Sequence, residues 1–178
     1  MKLSTYCESD REEIEALFTR TFSDSEGQSE GKLIGQLAHD LMIGCETNEM
    51  FGFIAAEKEQ IVGCIFFTRL SFPSPANAFL LAPVAIDTAY QGQGIGQKLI
   101  TFGIKCLDAL GVELIFTYGD PNYYSKVGFR QVLQEVAAAP FEPAHPEGWL
   151  GQSLDGSSLE LPLGRASCVG PFNDPQYW

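Results

Sequence analysis

Histidine is scarce in this 178-residue chain, which carries only His39 and His145. Neither belongs to a recognisable partner motif, so neither predicts a Cys–His catalytic pair. The cysteines, at 7, 45, 64, 106 and 168, are odd in number, widely spaced and without a CxxC. That argues against a disulfide framework and a structural zinc site, and no metal is expected. Cys64 and Cys106 sit in apolar patterns and read as buried small hydrophobes. Basic residues are also few, 11 against 23 acidic, for a net charge of −12. Such a surface disfavours nucleic acid and anionic membranes. It serves solubility, and it would attract a cationic substrate such as an amine. No apolar run reaches membrane-spanning length, and the first residues lack the basic and apolar regions of a signal peptide. The expectation is a cytoplasmic protein with neither a membrane nor a nucleic-acid partner.

What is present is enough apolar material for one full core: 45% of residues are hydrophobic, a globular composition. A single domain over residues 1–178 is expected. Residues 2–6 read as a strand. Ser9 and Glu12 are spaced as a capping box, with Ile14, Leu17, Phe18 and Phe22 following at helical spacing. Residues 23–31 are polar and contain glycine, predicting a loop, and Leu33, Ile34, Leu37 and Leu41 mark a second helix. Residues 51–56 and 61–70 predict two strands joined by a polar turn at 57–60, the second rich in β-branched and aromatic residues. Residues 79–86 form a continuous apolar run, the signature of a strand buried on both faces. A helix marked by Ile95, Leu99, Phe102, Cys106 and Leu110 follows, capped by Gly111. Then come a strand over 112–118, a short helix over 120–126 and a strand over 128–136. The tail is broken by prolines, with a late hairpin expected from 149–154 and 158–161 around Asp155-Gly156. The aromatic end is expected to pack back on the domain. The order gives an α/β fold, a mixed sheet with helices on both faces.

Between the buried strand and the long helix lies Tyr90-Gln91-Gly92-Gln93-Gly94-Ile95-Gly96-Gln97-Lys98. A glycine-rich turn from strand to helix gathers backbone N–H groups around an anion, and the helix N-terminus adds partial positive charge. A dinucleotide fingerprint requires GxGxxG. Counting from Gly92, the third glycine position holds Gln97; counting from Gly94, it holds Leu99. A P-loop requires GK and then Ser or Thr, but Gly96 is followed by Gln97. Both fail. The fitting pattern is Gln91-x-x-Gly94-x-Gly96, with Tyr124-Ser125-Lys126-Val127-Gly128-Phe129 downstream.

With those two motifs in that order, the chain resembles the GNAT superfamily of acetyl-coenzyme A-dependent N-acetyltransferases over residues 51–136. The runs Leu81-Ala82-Pro83-Val84-Ala85-Ile86 and Tyr118-Gly119-Asp120-Pro121 are similar to a bacterial subfamily whose substrates are mostly unassigned. The resemblance implies a mostly antiparallel sheet with a splayed parallel pair at the cofactor site. It implies acetyl-CoA as cosubstrate, with the pyrophosphate on the amides of Gln91, Gly92, Gln93, Gly94, Ile95, Gly96 and Gln97, and pantetheine along Val84, Ala85 and Ile86. Lys98 is a candidate extra charge. Pro83 fits a gap or bulge, since proline removes a ladder donor.

The implied reaction is direct attack of a neutral amine on the acetyl carbonyl. Tyr124 matches the family's tyrosine near the sulfur and is the candidate general acid. A backbone N–H near Val84 or Ala85 is the candidate oxyanion donor. Many relatives carry an asparagine seven residues before that tyrosine. Here the position is Thr117, and Asn122 is a candidate cofactor contact in its place. No base is identified: Glu26, Glu30 and Asp87 are candidates, as is bulk water, and Glu26 and Glu30 are also candidate acceptor contacts. The acceptor is expected to be an amine of a small molecule or peptide, and a homodimer is a family-level expectation. The alternative is a CoA-binding regulatory module with weak turnover.

Overall fold

The computed structural model describes residues 1–159 and 162–178. Its elements run β1 (Lys2–Thr5), α1 (Arg11–Glu26), α2 (Gln28–Gly44), β2 (Met50–Glu57), β3 (Gln60–Leu70), β4 (Ala78–Ile86), α3 (Ile95–Ala109), β5 (Leu114–Tyr118), α4 (Pro121–Tyr124), β6 (Arg130–Gln131), β7 (Ala137–Ala138), β8 (Trp149–Ser153) and β9 (Gly164–Arg165), with short 3-10 turns between. Among the described residues, the main sheet has the strand order β1-β2-β3-β4-β5-β8-β6. It is mostly antiparallel, with a parallel pair at β4–β5 and flanking helices. No helix of the described residues is long and apolar enough to cross a membrane.

The chain divides into two compact units: Met1–Phe66 with Pro83–Gly103, and Phe67–Ala82 with Ile104–Trp178. In the first, Ile14, Leu17 and Phe18 of α1 and Leu37, Ala38 and Leu41 of α2 are buried. Phe18 stacks on Phe66 with ring centroids 5.6 Å apart. Close approach of the two helices depends on small residues. A side chain at Gly31 would overlap Ser23 Oγ, and one at Gly35 would overlap Thr19 Oγ1. Those two hydroxyls fold back onto their own helix, donating to Thr19 O at 2.6 Å and Glu15 O at 2.9 Å. The β2–β3 turn places Lys58 and Glu59 at φ 49° and 68°. Two successive positive φ values match the twist of a tight hairpin.

In the second unit β5 pairs with β4 on one side and β8 on the other. Phe116 of β5 stacks on Trp149 of β8, 5.2 Å between centroids. Trp149 is fully buried, and its Nε1 donates to Ala137 O at 2.8 Å, so the indole buries no unsatisfied donor. Trp178 packs against Trp149 and Tyr118, and its Nε1 donates to Phe172 O.

Several local expectations are corrected. The capping residues are Cys7 and Asp10 rather than Ser9 and Glu12. The Asp10 carboxylate accepts the Cys7 amide at 2.8 Å, and a 3-10 turn precedes α1. The predicted loop over 23–31 is almost entirely helical, since Gly27 alone, at φ 98°, separates α1 from α2. The strand expected over 128–136 shrinks to β6. The late hairpin does not form as expected: its turn is present, with Ser157 N–H donating to Asp155 Oδ1 at 2.8 Å, but β8 pairs with β5 and β6. Of the expected partner segment, Ser158 and Leu159 are not in a strand, and residues 160–161 lie outside the described residues. Cys64 is buried as expected, whereas Cys106 is only partly so.

Candidate functional site

The glycine loop lies in the first unit. After β4, Asp87 opens a 3-10 turn, Thr88–Tyr90, and Gln91 follows it. Gly92 and Gly94 both have φ +74°, and a Cβ at either would meet nothing within 4 Å. Glycine is required there by backbone angle, not by crowding. Gly96 is already inside α3 and buried. The first amide of this helix to find a backbone acceptor is that of Lys98, bonded to Gly94 O at 3.1 Å. Among the described residues, the amides of Gly92, Gln93, Gly94, Ile95, Gly96 and Gln97 have no acceptor in the protein. Unpaired donors at the N-terminus of a helix of fifteen residues can accept an anion. The Lys98 side chain is exposed at its edge.

Two side chains brace the loop rather than point into it. Gln91 Nε2 donates to Ile86 O at 2.9 Å, and Gln93 Nε2 donates to Ala89 O at 3.4 Å. The carbonyl of Ile86 is therefore taken. The β4–β5 ladder ends at Leu81↔Thr117, while β4 continues to Ile86 through Pro83, Val84 and Ala85. Pro83, Val84, Ala85 and Ile86 alternate between buried and partly exposed.

Tyr124 lies in the second unit, at the end of α4. Asp120 caps that helix by accepting the Asn122 amide at 2.9 Å, and Pro121 fits its first turn. The Asn122 backbone serves this cap, and the residue is exposed. The Tyr124 ring packs on Gly119, where a Cβ would stand 2.7 Å from Tyr124 Cε2. Tyr123 and Phe129 meet it edge-on at 5.0 and 5.8 Å. Burial pushes the phenol up to about 12, and a hydrogen bond with the Thr117 hydroxyl offsets part of that. Thr117 is itself buried, and its Oγ1 donates to Leu81 O at 2.8 Å, on the last rung of the β4–β5 ladder. The phenol therefore holds its proton throughout the neutral range.

The other candidates are placed as follows. Glu26 ends α1 and is exposed; Glu30 is in the first turn of α2 and partly exposed. The Asp87 carboxylate is engaged, with Oδ2 on Arg20 Nε at 2.9 Å and Oδ1 on the Ala89 amide at 3.1 Å. His39 Nδ1 lies 3.0 Å from Glu15, and His145 Nδ1 is 3.5 Å from Glu147. Burial pushes the thiols of Cys64 and Cys168 up, and that of Cys45 to about 11, against a thiolate nucleophile. Arg20 and the packing role of Gly119 escaped the sequence reading. Arg20 sits on a helix with no motif around it, 67 residues from its partner.

Residues 48–131 match the acetyltransferase (GNAT) domain. The uncharacterized N-acetyltransferase YjhQ of Escherichia coli K12 is 30% identical, over 92% of this chain and 89% of its own length. The crystal structure of the GNAT family N-acetyltransferase YhbS from Escherichia coli, in complex with CoA, superimposes with a TM-score of 0.81. It is 26% identical, covering 98% of this chain and 92% of that one. A GNAT acetyltransferase from Brucella melitensis, in complex with acetyl-CoA, shares the fold at 22% identity and a TM-score of 0.75, covering 96% of this chain and 97% of that one. The chain belongs to the GNAT superfamily of N-acetyltransferases and is an acetyltransferase.

Proposed function

We propose that residues 1–178 act as one acetyltransferase domain in the cytoplasm, moving the acetyl group of acetyl-CoA to an amine of a small molecule or peptide. The observation that carries this reading is the run of unpaired amides over residues 92–97 at the start of α3. Such a cradle suits a pyrophosphate. The CoA and acetyl-CoA complexes of the YhbS and Brucella relatives support the choice of ligand. On this reading Gln91 sets the loop through its bond to Ile86 O, while Val84 and Ala85 offer backbone to the pantetheine. Asn122 is retained as a cofactor contact through its exposed side chain.

The amine nitrogen attacks the acetyl carbonyl and the carbon–sulfur bond breaks. Tyr124 gives its phenolic proton to the departing thiolate. At neutral pH the phenol arrives protonated. The Thr117 hydroxyl, whose own proton is on Leu81 O, accepts from the phenol and orients it, and solvent restores the proton. The proton lost by the amine passes to water, since Asp87 is committed elsewhere. Glu26 and Glu30 are the proposed acceptor contacts, and the net charge of −12 favours a cationic amine.

Calorimetry with CoA, followed by acetyl-CoA consumption against polyamines, amino acids, aminoglycosides and peptide N-termini, tests the reading. CoA binding with turnover of at least one amine is expected. Tight binding with no turnover on any would favour a CoA-binding regulatory module instead.

A further inference from the structure

Arg20 on α1 and Asp87 just after β4 form an ion pair, Nε to Oδ2, at 2.9 Å. The second carboxylate oxygen of Asp87 accepts the Ala89 amide, and the Asp87 carbonyl accepts the Tyr90 amide at 2.8 Å. One carboxylate thus both starts the Thr88–Tyr90 turn and holds α1. One helical turn beyond Arg20, Asp24 Oδ2 accepts the Thr88 hydroxyl at 2.7 Å. Two separate side chains of α1 therefore grip the turn from which the glycine loop departs. The Asp87 side chain is 17% exposed. A negative charge so sheltered is poorly screened, and without a partner it would repel an anion held a few residues along the chain. Arg20 is the cation on it.

We propose that Arg20 is a positioning residue for the cofactor: it holds the turn that carries the glycine loop, and it cancels the charge of Asp87 so that a pyrophosphate can sit on the adjacent amides. The inference rests on the reading of that loop as the pyrophosphate grip. Electrostatic cancellation separates it from mere bracing of the fold. If Arg20 acts by neutralising Asp87, removing both charges restores what removing one destroys.

The test is calorimetric titration of CoA into the full chain and its Arg20→Met, Asp87→Asn, Arg20→Met/Asp87→Asn and Arg20→Lys variants, each with its melting temperature. Arg20→Met is expected to weaken CoA about tenfold, a loss of about 1.4 kcal/mol. The double variant is expected to return to within about threefold of the wild type, and Arg20→Lys to stay within a similar range, since each leaves no net charge on the pair. Should Arg20→Met itself melt early, the double variant and Arg20→Lys still decide. Wild-type affinity in Arg20→Met, or a double variant that melts like the wild type yet binds no better than Arg20→Met, overturns the inference and leaves the loop reading intact. A wild type that binds no CoA overturns the loop reading, and this inference with it.

Discussion

The ring of Tyr124 rests on the α-carbon of Gly119, so closely that a methyl group there would come 2.7 Å from Cε2. Gly119 has no positive φ, so alanine is allowed by the backbone and excluded only by the ring. Gly119→Ala is expected to lower kcat about tenfold or more by displacing the phenol, because small misplacements at a reacting centre are costly. CoA affinity should change less than about twofold. Steady-state kinetics beside calorimetry separates the two, and an unchanged kcat would detach Gly119 from catalysis.

Tyr124→Phe removes only the hydroxyl and leaves the ring contacts with Tyr123 and Phe129. Turnover should fall about a hundredfold or more, the usual contribution of a positioned general acid. Affinity for CoA should stay near that of the wild type. Equal turnover would remove Tyr124 from the proposed mechanism.

The pH dependence follows from the buried phenol. Its folded pKa, about 12, lies above its ordinary value of 10.0. Below 10 the phenol is protonated folded or unfolded, and its contribution to stability is complete. Between 10 and 12 only the unfolded chain releases the proton, so stability falls as pH rises through that window. Tyr124→Phe should abolish that part of the alkaline loss in denaturant melts. In kinetics the same shift keeps the acid in place, so an alkaline limb from Tyr124 should appear only as the pH approaches about 12. Thr117→Val should raise the phenol further and lower kcat, whereas Thr117→Ser should preserve both. Identical pH profiles for the two Thr117 variants would remove that hydroxyl from the proton path.

Gly94→Ala meets no steric obstacle but must hold an alanine at φ +74°. The backbone strain costs about 1–2 kcal/mol. Relief of that strain would turn the loop amides away from a common point. Lower stability together with weaker CoA binding is expected, from chemical denaturation and calorimetry. Wild-type CoA affinity in Gly94→Ala would dissociate the loop conformation from the cofactor.

Much of the fold was legible because local patterns and tertiary structure agree. The apolar run over 79–86 became β4, and Gly111, at φ +79°, ends the helix as a cap should. The glycine spacing by itself separates this loop from the dinucleotide and phosphate-loop patterns. Residues 23–31 were misread because polar composition resembles a loop. Their helicity depends on Gly31 and Gly35 letting α2 close on Thr19 and Ser23, a contact between segments. The strand over 128–136 failed for a related reason. Arg130 and Gln131 pair with β8 and the Val132 amide adds one bond to Trp149 O, after which the chain turns, with the Val136 and Ala137 amides on Leu133 O.

By itself the sequence determined what depends on near neighbours: the helical and strand periods, the glycines that permit positive φ before α3, and the tyrosine set four residues before Gly128-Phe129. These are short-range consequences of backbone sterics and side-chain spacing. Tertiary structure alone decided which polar groups are already spent. It tied Asp87 to Arg20, turned Gln91 onto Ile86 O, and packed Tyr124 on Gly119 beside the Thr117 hydroxyl. Arg20 and Asp87 lie 67 residues apart, while Gln91 and Ile86, like Tyr124 and Gly119, are near in the chain and are brought together by the turn between them. Hydrogen bonding and desolvation act through space, so the buried phenol, the paired carboxylate and the unpaired amides become distinct only once the chain is folded.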